Sequence, residues 1–520
     1  MSKKYNTWII QNKQLIIRIL FALFMVIGIF ARFWQFGVVP GDINQDEAFG
    51  GYEAYSLLHY GKDSSGYAFP VYLTTWGSGM SVFNSLLMIP FIAIFGLKTW
   101  VIRLPQALVA CFTLWVIYLI VKEIIDEKAA LVCLFFTAIA PWHIFMARWG
   151  MDANLAPGFL LFGLYFFIRG LKQAKFFLLS ALMYGLSLYC YATIWPFVPL
   201  ILLLQLVYCL IYKKISFQKE IILSGVILMV LALPLLLFLL VNTGRIEEIR
   251  LPFLSIPKLV YMRDSEISLA HIPENFQNLW NIIRTQTDGL PWNSTERFGI
   301  FYQCTLPFFF LGLFYYLKQI VLGFYKKEFR LDILILIQLF AGFFLGLCIQ
   351  VNINRVNSLW LPMIIMAATG IWYLCKIINL KLLVVPLIIY STLFIQFEEY
   401  YFTDYKQEIS GYFCSGLEDA MEEALSQEGT IYVSSSANYA RILFYSKQDV
   451  NEYISTVQYT NYPSPFLDVS SFGRFCFYFD LNALDPTGVY LVDSSVDSSF
   501  FANAGFTTKT FGYYTVTYTE

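Results

Sequence analysis

The chain contains eleven apolar runs, each long enough or almost long enough to cross a bilayer. A helix needs about 20 predominantly apolar residues to span the hydrocarbon core. Only 14% of the residues are charged, whereas about 25% are charged in a soluble domain. The sequence therefore predicts a polytopic α-helical membrane protein. The runs cover residues 15–34, 103–121, 129–147, 155–168, 176–191, 196–212, 221–241, 300–317, 331–349, 357–375 and 382–397.

A twelfth apolar run, 81–96, is shorter and carries Pro90 near its middle. Lys and Arg clusters decide whether it crosses, because they concentrate in cytoplasmic loops. All the clusters fall on the side of the N-terminus only if this run does not cross. We therefore predict about 11 transmembrane helices, with run 81–96 lying along the outer interface. The clusters occur at 3–4, 122–128, 169–175, 213–219, 318–330 and 376–381.

The predicted location is the plasma membrane, with a cytoplasmic N-terminus and an extracytoplasmic C-terminus. The first run lacks a small-residue cleavage pattern and is expected to remain as an anchor. Residues 1–397 form the predicted transmembrane domain. Loops 35–102 and 242–299 of that domain lie on the outer face under this topology.

Residues 398–520 are more polar and form a predicted extracytoplasmic α/β domain. Segment 416–429 has the pattern of an amphipathic helix ending at a glycine, and TIYVSS, RFCFYFD, GVYLVD and YYTVTYT have the pattern of strands. Cys414 and Cys476 both lie in this part, so the sequence leaves a disulfide between them open.

Two adjacent carboxylates, Asp46 and Glu47, follow the first run in the stretch PGDINQDEAFGGYEAYSLLHYGKD. Carboxylates close to apolar surroundings are costly unless they have a partner or a task. Asp46 can be a helix N-cap and Glu47 a first-turn anion. Their position between a span and an interfacial helix favours instead a functional site in a water-accessible cavity.

Further ionisable residues gather at the predicted outer face. Arg148 and Asp152 share the turn ARWGMDANL, where Arg148 can snorkel and Asp152 can cap the next helix. Arg355, in NINRVNSLWLP, can bind the phosphate of a membrane lipid or that of a lipid substrate. His143 lies about one turn inside, where a lone histidine is more often a packing residue than a catalyst.

The second long loop offers Arg263, in KLVYMRDSE, and Trp292, in DGLPWN. Trp292 can stack on a sugar ring or anchor at the lipid headgroups, as interfacial tryptophans commonly do. Cys and His residues show no metal-ligand spacing, and the net charge of −1 gives no basic field for nucleic acid. We therefore expect no metal, no other cofactor and no nucleic-acid partner.

The order of these landmarks resembles a known family. DE opens a helix after the first span, a non-spanning apolar helix ends in FG, RLPQAL starts the second span, and the third ends in APWHIFMARWGMDANL. This order is similar to the bacterial polyprenyl-phosphate-sugar glycosyltransferases of the GT-C fold. They are related to protein O-mannosyltransferases and to the aminoarabinose transferase of lipid A.

The resemblance implies a sugar donor linked to undecaprenyl or dolichyl phosphate and an inverting transfer to a cell-envelope glycan, lipid or protein. By position, Asp46 matches the general base, with Glu47 beside it, and Asp152 matches a second acidic position. Arg148 and Arg355 are placed like phosphate binders, and the remaining candidates for substrate binding are Arg263, His143 and Trp292. Some relatives carry a Lys and two prolines where this chain has TTWGSGMSVFN, so an Arg would have to replace that Lys.

Two other functions fit a polytopic chain. A secondary transporter would place its ionisable residues near the bilayer midplane within paired repeats, whereas here they gather at one face and no repeat is visible. A non-enzymatic assembly protein would use the C-terminal domain to bind a partner, and it leaves the Asp-Glu pair unexplained.

Overall fold

The structure is a computed structural model that describes residues 2–216, 218–262 and 269–519. The helices up to the end of the membrane part are α1 (Ser2–Phe33), α2 (Gln45–Tyr60), α3 (Phe83–Phe95), α4 (Thr99–Ile124), α5 (Glu127–Ala138), α6 (Pro141–Phe145), α7 (Ala156–Gly170), α8 (Phe176–Ser187), α9 (Ile194–Ile211), α10 (Lys219–Asn242), α11 (Ile272–Thr285), α12 (Leu306–Lys326), α13 (Ile333–Cys348), α14 (Trp360–Ile378) and α15 (Val384–Phe402). A short hairpin of β1 (Ile249–Leu251) and β2 (Leu254–Ile256) lies between α10 and α11.

Eight helical segments in the described residues are long and apolar enough to cross a membrane. Each of the eleven predicted runs contains a helix, so the prediction of a polytopic helical protein is confirmed. Four of these helices have fewer than 18 residues: α5 and α8 have 12 each, α7 has 15 and α13 has 16. A 12-residue helix is about 18 Å long, which is less than the hydrocarbon core, so α5 and α8 need flanking residues to cross.

The helix within the twelfth run, α3, has 13 residues and contains Pro90. Its length of about 20 Å is too short to span a bilayer by itself. That length agrees with the topology in which run 81–96 does not cross. Its placement along the outer interface stays a prediction.

The C-terminal part is an α/β unit, as predicted. Its strands form a seven-stranded mixed sheet in the order β4-β5-β6-β3-β7-β9-β8, in which β3 runs parallel to β6 and β7. The predicted amphipathic helix and all four predicted strands are present, whereas β4, β5, β8 and four helices (α16, α18, α19 and α20) were not predicted. The elements are α16 (Asp404–Ser410), α17 (Leu417–Ser426), β3 (Ile431–Val433), α18 (Tyr439–Ser446), α19 (Val450–Thr456), β4 (Gln458–Tyr459), β5 (Val469–Phe472), β6 (Phe475–Cys476), β7 (Val489–Asp493), α20 (Ser499–Asn503), β8 (Thr507–Phe511) and β9 (Tyr514–Tyr518).

The predicted division between residues 397 and 398 falls inside α15, which continues to Phe402. Cys414 and Cys476 are both free thiols, with Cys414 buried and Cys476 half-buried. The sequence had left their pairing open.

The α/β unit packs directly on the first loop, and both contribute to one apolar core. Helix α18 lies against α2, where a Cβ on Gly51 would approach the ring of Phe444 to 2.7 Å. The Ile43 amide donates to the Phe413 carbonyl at 2.8 Å, and the Arg441 guanidinium donates back to the Ile43 carbonyl at 3.1 Å. The first loop is therefore fixed from both sides, by the membrane helices and by the C-terminal unit.

A buried pair of carboxyl groups, Glu53 and Asp63, lies within the first loop. Burial and the nearby charge of Asp63 raise the pKa of Glu53 from its usual 4.5 to about 8. The Ser64 amide, at 2.9 Å, and the Ser64 hydroxyl both donate to the Glu53 carboxyl. Glu53 therefore keeps its proton in the folded protein at pH values where the unfolded chain has lost it.

This raised pKa predicts a pH-dependent stability. The contribution of the protonated Glu53 side chain to the free energy of unfolding is fully present below about pH 4.5. It is lost as the pH rises towards 8. We expect the thermal unfolding midpoint in detergent to fall over this window, and Glu53→Gln, which keeps a neutral group there, to flatten the fall. The exposed change Glu422→Gln is the control. An equally steep fall in Glu53→Gln would contradict the assignment.

Candidate active site

A polar cavity of about 270 Å³ lies where the first loop, the segments before α7 and α14, and the α/β unit meet. We call it the site cavity. Its lining combines two carboxylates, one arginine, several amides and a set of aromatic rings. The lining residues are Asn44, Gln45, Asp46, Tyr72, Trp76, Gly79, Met80, Trp149, Met151, Asp152, Tyr191, Leu290, Trp292, Asn352, Asn354, Arg355 and Phe466.

Asp46 lies in the first turn of α2 and is half-buried at the cavity wall. The N-cap of this helix is Asn44, whose side chain accepts the Asp46 amide at 3.0 Å, so the reading of Asp46 as N-cap is wrong. The Trp76 indole N–H donates to Asp46 Oδ1 at 3.1 Å. The positive end of the helix dipole and this hydrogen bond both stabilise an ionised carboxylate here.

Asp152 reaches the same cavity from the short turn before α7. Its Oδ2 accepts the Ser81 amide at 3.1 Å, and its Oδ1 accepts the Ala153 amide at 2.7 Å. The residue does not cap α7 with its side chain, because the cap position of that helix is Leu155 and no side-chain bond forms there. Asp46 and Asp152 both line the site cavity and are close enough to interact electrostatically.

Arg355 faces the site cavity from the segment before α14 and is half-buried. Its guanidinium donates to the carbonyl of Gln350 at 3.2 Å and to the side-chain amide oxygen of Gln350 at 3.1 Å. Asn352 accepts the Arg355 amide at 2.8 Å, and Asn354 lies beside it. Trp292 lines the cavity from the second loop, where its ring meets Tyr412 edge to face at 5.9 Å.

Glu47 is completely buried and forms an ion pair with Arg103. The guanidinium binds both carboxylate oxygens, at 2.8 and 2.9 Å, and also donates to the carbonyls of Gly41 and Asp42. The amide of Gly150 donates to the same carboxylate. Glu47 is not among the residues that line the site cavity. Its contacts join the first turn of α2 to α4 and to the segment carrying Asp152.

Arg148 and His143 are also fully buried and do not line the cavity. The Arg148 guanidinium donates to five backbone carbonyls at and beyond the end of α1, at 2.8 to 3.3 Å, instead of snorkelling to a membrane surface. The His143 Nδ1 meets the guanidinium of Arg32. Both residues tie α1 to the third membrane segment. Arg263 lies outside the described residues.

Sequence reasoning did not select Trp76, Asn352, Asn354, Phe466 or Arg103. The only signal for Trp76 was the departure from the family pattern in TTWGSG, where a Trp stands between small polar residues. Phe466 reaches the cavity from the C-terminal unit through a bridge to Gly77, a contact between distant parts of the chain. Arg103 was visible only as the first residue of the landmark RLPQAL.

Comparison with known proteins supports this description of the fold. Residues 82–248 match the model of the family described as dolichyl-phosphate-mannose-protein mannosyltransferase. Comparison with curated proteins gives no match.

Among solved structures, apo ArnT from Cupriavidus metallidurans matches with a TM-score of 0.55 and 12% identity, over 99% of this chain and 98% of that chain. The same enzyme bound to undecaprenyl phosphate matches with a TM-score of 0.54 and 10% identity, over 97% and 98%. The archaeal oligosaccharyltransferase AglB from Archaeoglobus fulgidus, in complex with an inhibitory peptide and a dolichol-phosphate, gives a TM-score of 0.47 and 12% identity over 83% of this chain. The chain spans 64% of the length of AglB. The ArnT match confirms the expected GT-C fold.

Proposed function

We propose that the chain is a membrane glycosyltransferase that moves a sugar from a polyprenyl-phosphate carrier to a hydroxyl group of a cell-envelope acceptor. The observation that carries this proposal is the meeting of Asp46 and Arg355 at one polar cavity, since the two residues are distant in the sequence. The family model over residues 82–248 and the fold shared with ArnT, which binds undecaprenyl phosphate, support it.

Asp46 is the general base in this proposal. An acceptor hydroxyl donates its proton to the Asp46 carboxylate while its oxygen attacks the anomeric carbon of the sugar. The bond from that carbon to the phosphate oxygen breaks, and polyprenyl phosphate leaves with the electron pair. A single displacement of this kind inverts the anomeric configuration. Trp76 holds the carboxylate in position through its indole N–H.

Arg355 binds the phosphate of the donor. A guanidinium can bind two phosphate oxygens at once and stabilises the charge that grows on the leaving group. The amides of Asn352 and Asn354 lie beside it and supply further donors. Asp152 and Trp292 line the remaining wall, where a carboxylate can accept sugar hydroxyls and an aromatic face can cover the ring.

The polyprenyl chain requires an apolar surface next to this site. An almost wholly apolar cavity of about 570 Å³ lies among α9, α11, α12, α13 and α14, with Trp280 and Phe310 in its wall. We assign part of the hydrocarbon chain to this cavity, because burial of apolar surface there needs no polar partner.

Replacing Arg355 is expected to weaken donor binding. Arg355→Ala removes charge-assisted hydrogen bonds, so we expect the KM for the polyprenyl-phosphate sugar to rise by about 10- to 100-fold. Arg355→Lys keeps the charge but cannot bind two phosphate oxygens at once. We expect its donor KM to lie between those of the wild type and Arg355→Ala. The exposed change Arg284→Ala is the control. An unchanged donor KM in Arg355→Ala would contradict the assignment of the donor phosphate to Arg355.

The proposal uses no metal ion and no organic cofactor. In the described residues no group of three or more His, Cys, Asp or Glu side chains is placed to hold a metal. We expect protein dialysed against EDTA to keep its transfer rate. A rate that falls on dialysis and returns with added Mg²⁺ or Mn²⁺ would overturn this part of the proposal.

The proposed orientation places the site cavity and the α/β unit on the extracytoplasmic side of the plasma membrane, with the N-terminus in the cytoplasm. Lys98 and Asp126 flank α4. In this orientation α4 crosses the membrane, so the two residues lie on opposite sides. Single cysteines at these two positions should react with an impermeant thiol reagent from opposite sides. Reaction of both from one side would overturn the orientation.

The overall proposal is tested in cells that lack this chain. We expect their envelope material to miss the mass of one sugar, a hexose, pentose or amino sugar, on a glycan, lipid or protein. The wild-type gene should restore the mass. An envelope that is unchanged in mass across all three fractions would contradict a transferase function.

A further inference from the structure

A second cavity, of about 310 Å³, lies beside the site cavity where the first loop, the segment after β2 and the α/β unit meet. We call it the second cavity. Its wall is rich in aromatic rings and hydroxyl groups, and its volume lies in the range of about 300–1,000 Å³ that ligand sites occupy. The residues that matter for its chemistry are Thr75, Trp76, Arg250, Lys258, Tyr459 and Tyr462.

Trp76 separates the two cavities and lines both. Its indole N–H bonds Asp46 in the site cavity, and its backbone carbonyl accepts the Leu467 amide at 2.7 Å. The next residue, Gly77, lines the second cavity and forms a bridge to Phe466, which lines the site cavity. A ligand in the second cavity therefore lies one side chain away from the proposed base.

The charges of the second cavity have one sign. Arg250 and Lys258 lie in its wall, and no Asp or Glu is among its described lining residues. Arg250 is held in place by Glu248 at 2.8 Å and by the ring of Tyr67 at 4.1 Å, whereas the side chain of Lys258 is exposed. Glu248 neutralises much of the charge of Arg250, so the exposed Lys258 ammonium is the cation of this wall that favours an anionic ligand.

The remaining wall fits a saccharide. Tyrosine and tryptophan present an apolar ring together with a polar group, which matches a sugar ring with its apolar face and its hydroxyl rim. The Thr75 side chain is 3% exposed, and its hydroxyl has no hydrogen-bond partner in the described part of the chain. A buried hydroxyl without a partner is costly, and a ligand hydroxyl can satisfy it.

We propose that the second cavity binds the acceptor, and that this acceptor is an anionic saccharide carrying phosphate groups. The inference rests on the proposed transferase function and adds the acceptor class to it. The acceptor enters between the C-terminal unit and the two loops, and its reacting hydroxyl passes Trp76 to reach Asp46. This gives the α/β unit a role, since it supplies the tyrosine wall.

The test measures acceptor and donor separately in the full-length protein. Lys258→Glu is an exposed charge reversal, and Tyr462→Ala removes an exposed ring, so neither is expected to disturb folding. We expect each change to raise the acceptor KM about tenfold while the donor KM and the kcat stay the same. Lys406→Glu, an exposed change on α16 outside both cavities, is the matched control. Unchanged acceptor KM values in both variants would overturn the inference while leaving the transferase function intact.

Binding without donor separates the inference from the function. The probes are phosphate-bearing oligosaccharides released from the envelope, the same oligosaccharides after phosphatase treatment, and phosphatidylglycerol vesicles. We expect the phosphorylated saccharide to bind and Lys258→Glu to weaken it, even if the chain proves to have no transferase activity. Equal binding of the dephosphorylated saccharide would contradict the proposal that the ligand is an anionic saccharide. Binding of the vesicles alone, with the same dependence on Lys258, would also contradict it.

Discussion

Asp46→Asn is expected to lower the kcat of sugar transfer by about 10²- to 10⁴-fold, because an amide cannot accept the proton of the acceptor hydroxyl. The change preserves the shape of the side chain, and the Asn oxygen can still accept the Trp76 indole N–H. The protein should therefore fold, insert and bind donor as the wild type does. The measurement uses purified protein in vesicles, with carrier lipids and envelope acceptor extracted from cells that lack the chain.

The matched control for this experiment is Asp497→Asn, the same chemical change at an exposed position in the α/β unit. It should transfer sugar at the wild-type rate. Wild-type turnover by Asp46→Asn would contradict the assignment of the base. Loss of donor binding in the same variant would instead show that Asp46 holds the donor.

Arg103→Ala is expected to have the largest effect on stability. The change leaves the buried Glu47 carboxylate without its cation, and breaking a buried ion pair typically costs about 3–5 kcal/mol. The same guanidinium holds the carbonyls of Gly41 and Asp42, so the turn before α2 also loses its donors. We expect a lower yield of folded protein in detergent and a lower unfolding midpoint, with exposed Arg284→Ala as the control.

Glu47→Gln separates a positioning role from a catalytic one. If Glu47 acts by holding α2 in place, activity per folded molecule should fall much less in Glu47→Gln than in Asp46→Asn, and the unfolding midpoint should fall. Pairing Glu47→Gln with Arg103→Met removes both buried charges and should recover part of the stability. A Glu47→Gln protein with an unchanged midpoint and no turnover would make Glu47 the base.

The adjacent pair Asp46 and Glu47 shows how far sequence reasoning reaches. Charge distribution and the position after the first span predicted a carboxylate site in the first loop. Consecutive residues on a helix point in directions about 100° apart, so one carboxylate faces the cavity while its neighbour points into the protein. Which of the two does so depends on the buried partner Arg103, which lies 56 positions away in the chain.

Arg148 and Arg355 show the same limit of prediction from sequence. An arginine at the end of an apolar run has the same sequence signature whether it snorkels, binds phosphate or binds backbone carbonyls. Arg148 binds the carbonyls at the end of α1, whereas Arg355 faces the cavity. The length of the apolar runs predicted the membrane helices well, because a helix that crosses the hydrocarbon core needs about 20 apolar residues. It could not place Trp76 and Phe466, whose positions come from docking of the C-terminal unit.

The carrier lipid pool tests the central claim most directly. In cells that lack this chain, we expect a polyprenyl phosphate carrying one sugar to accumulate, detected by mass in the lipid extract. The wild-type gene should return the pool to its normal level, and the Asp46→Asn gene, expressed to the same amount, should not. An unchanged carrier pool in the cells lacking the chain, or full reversal by Asp46→Asn, would contradict the account.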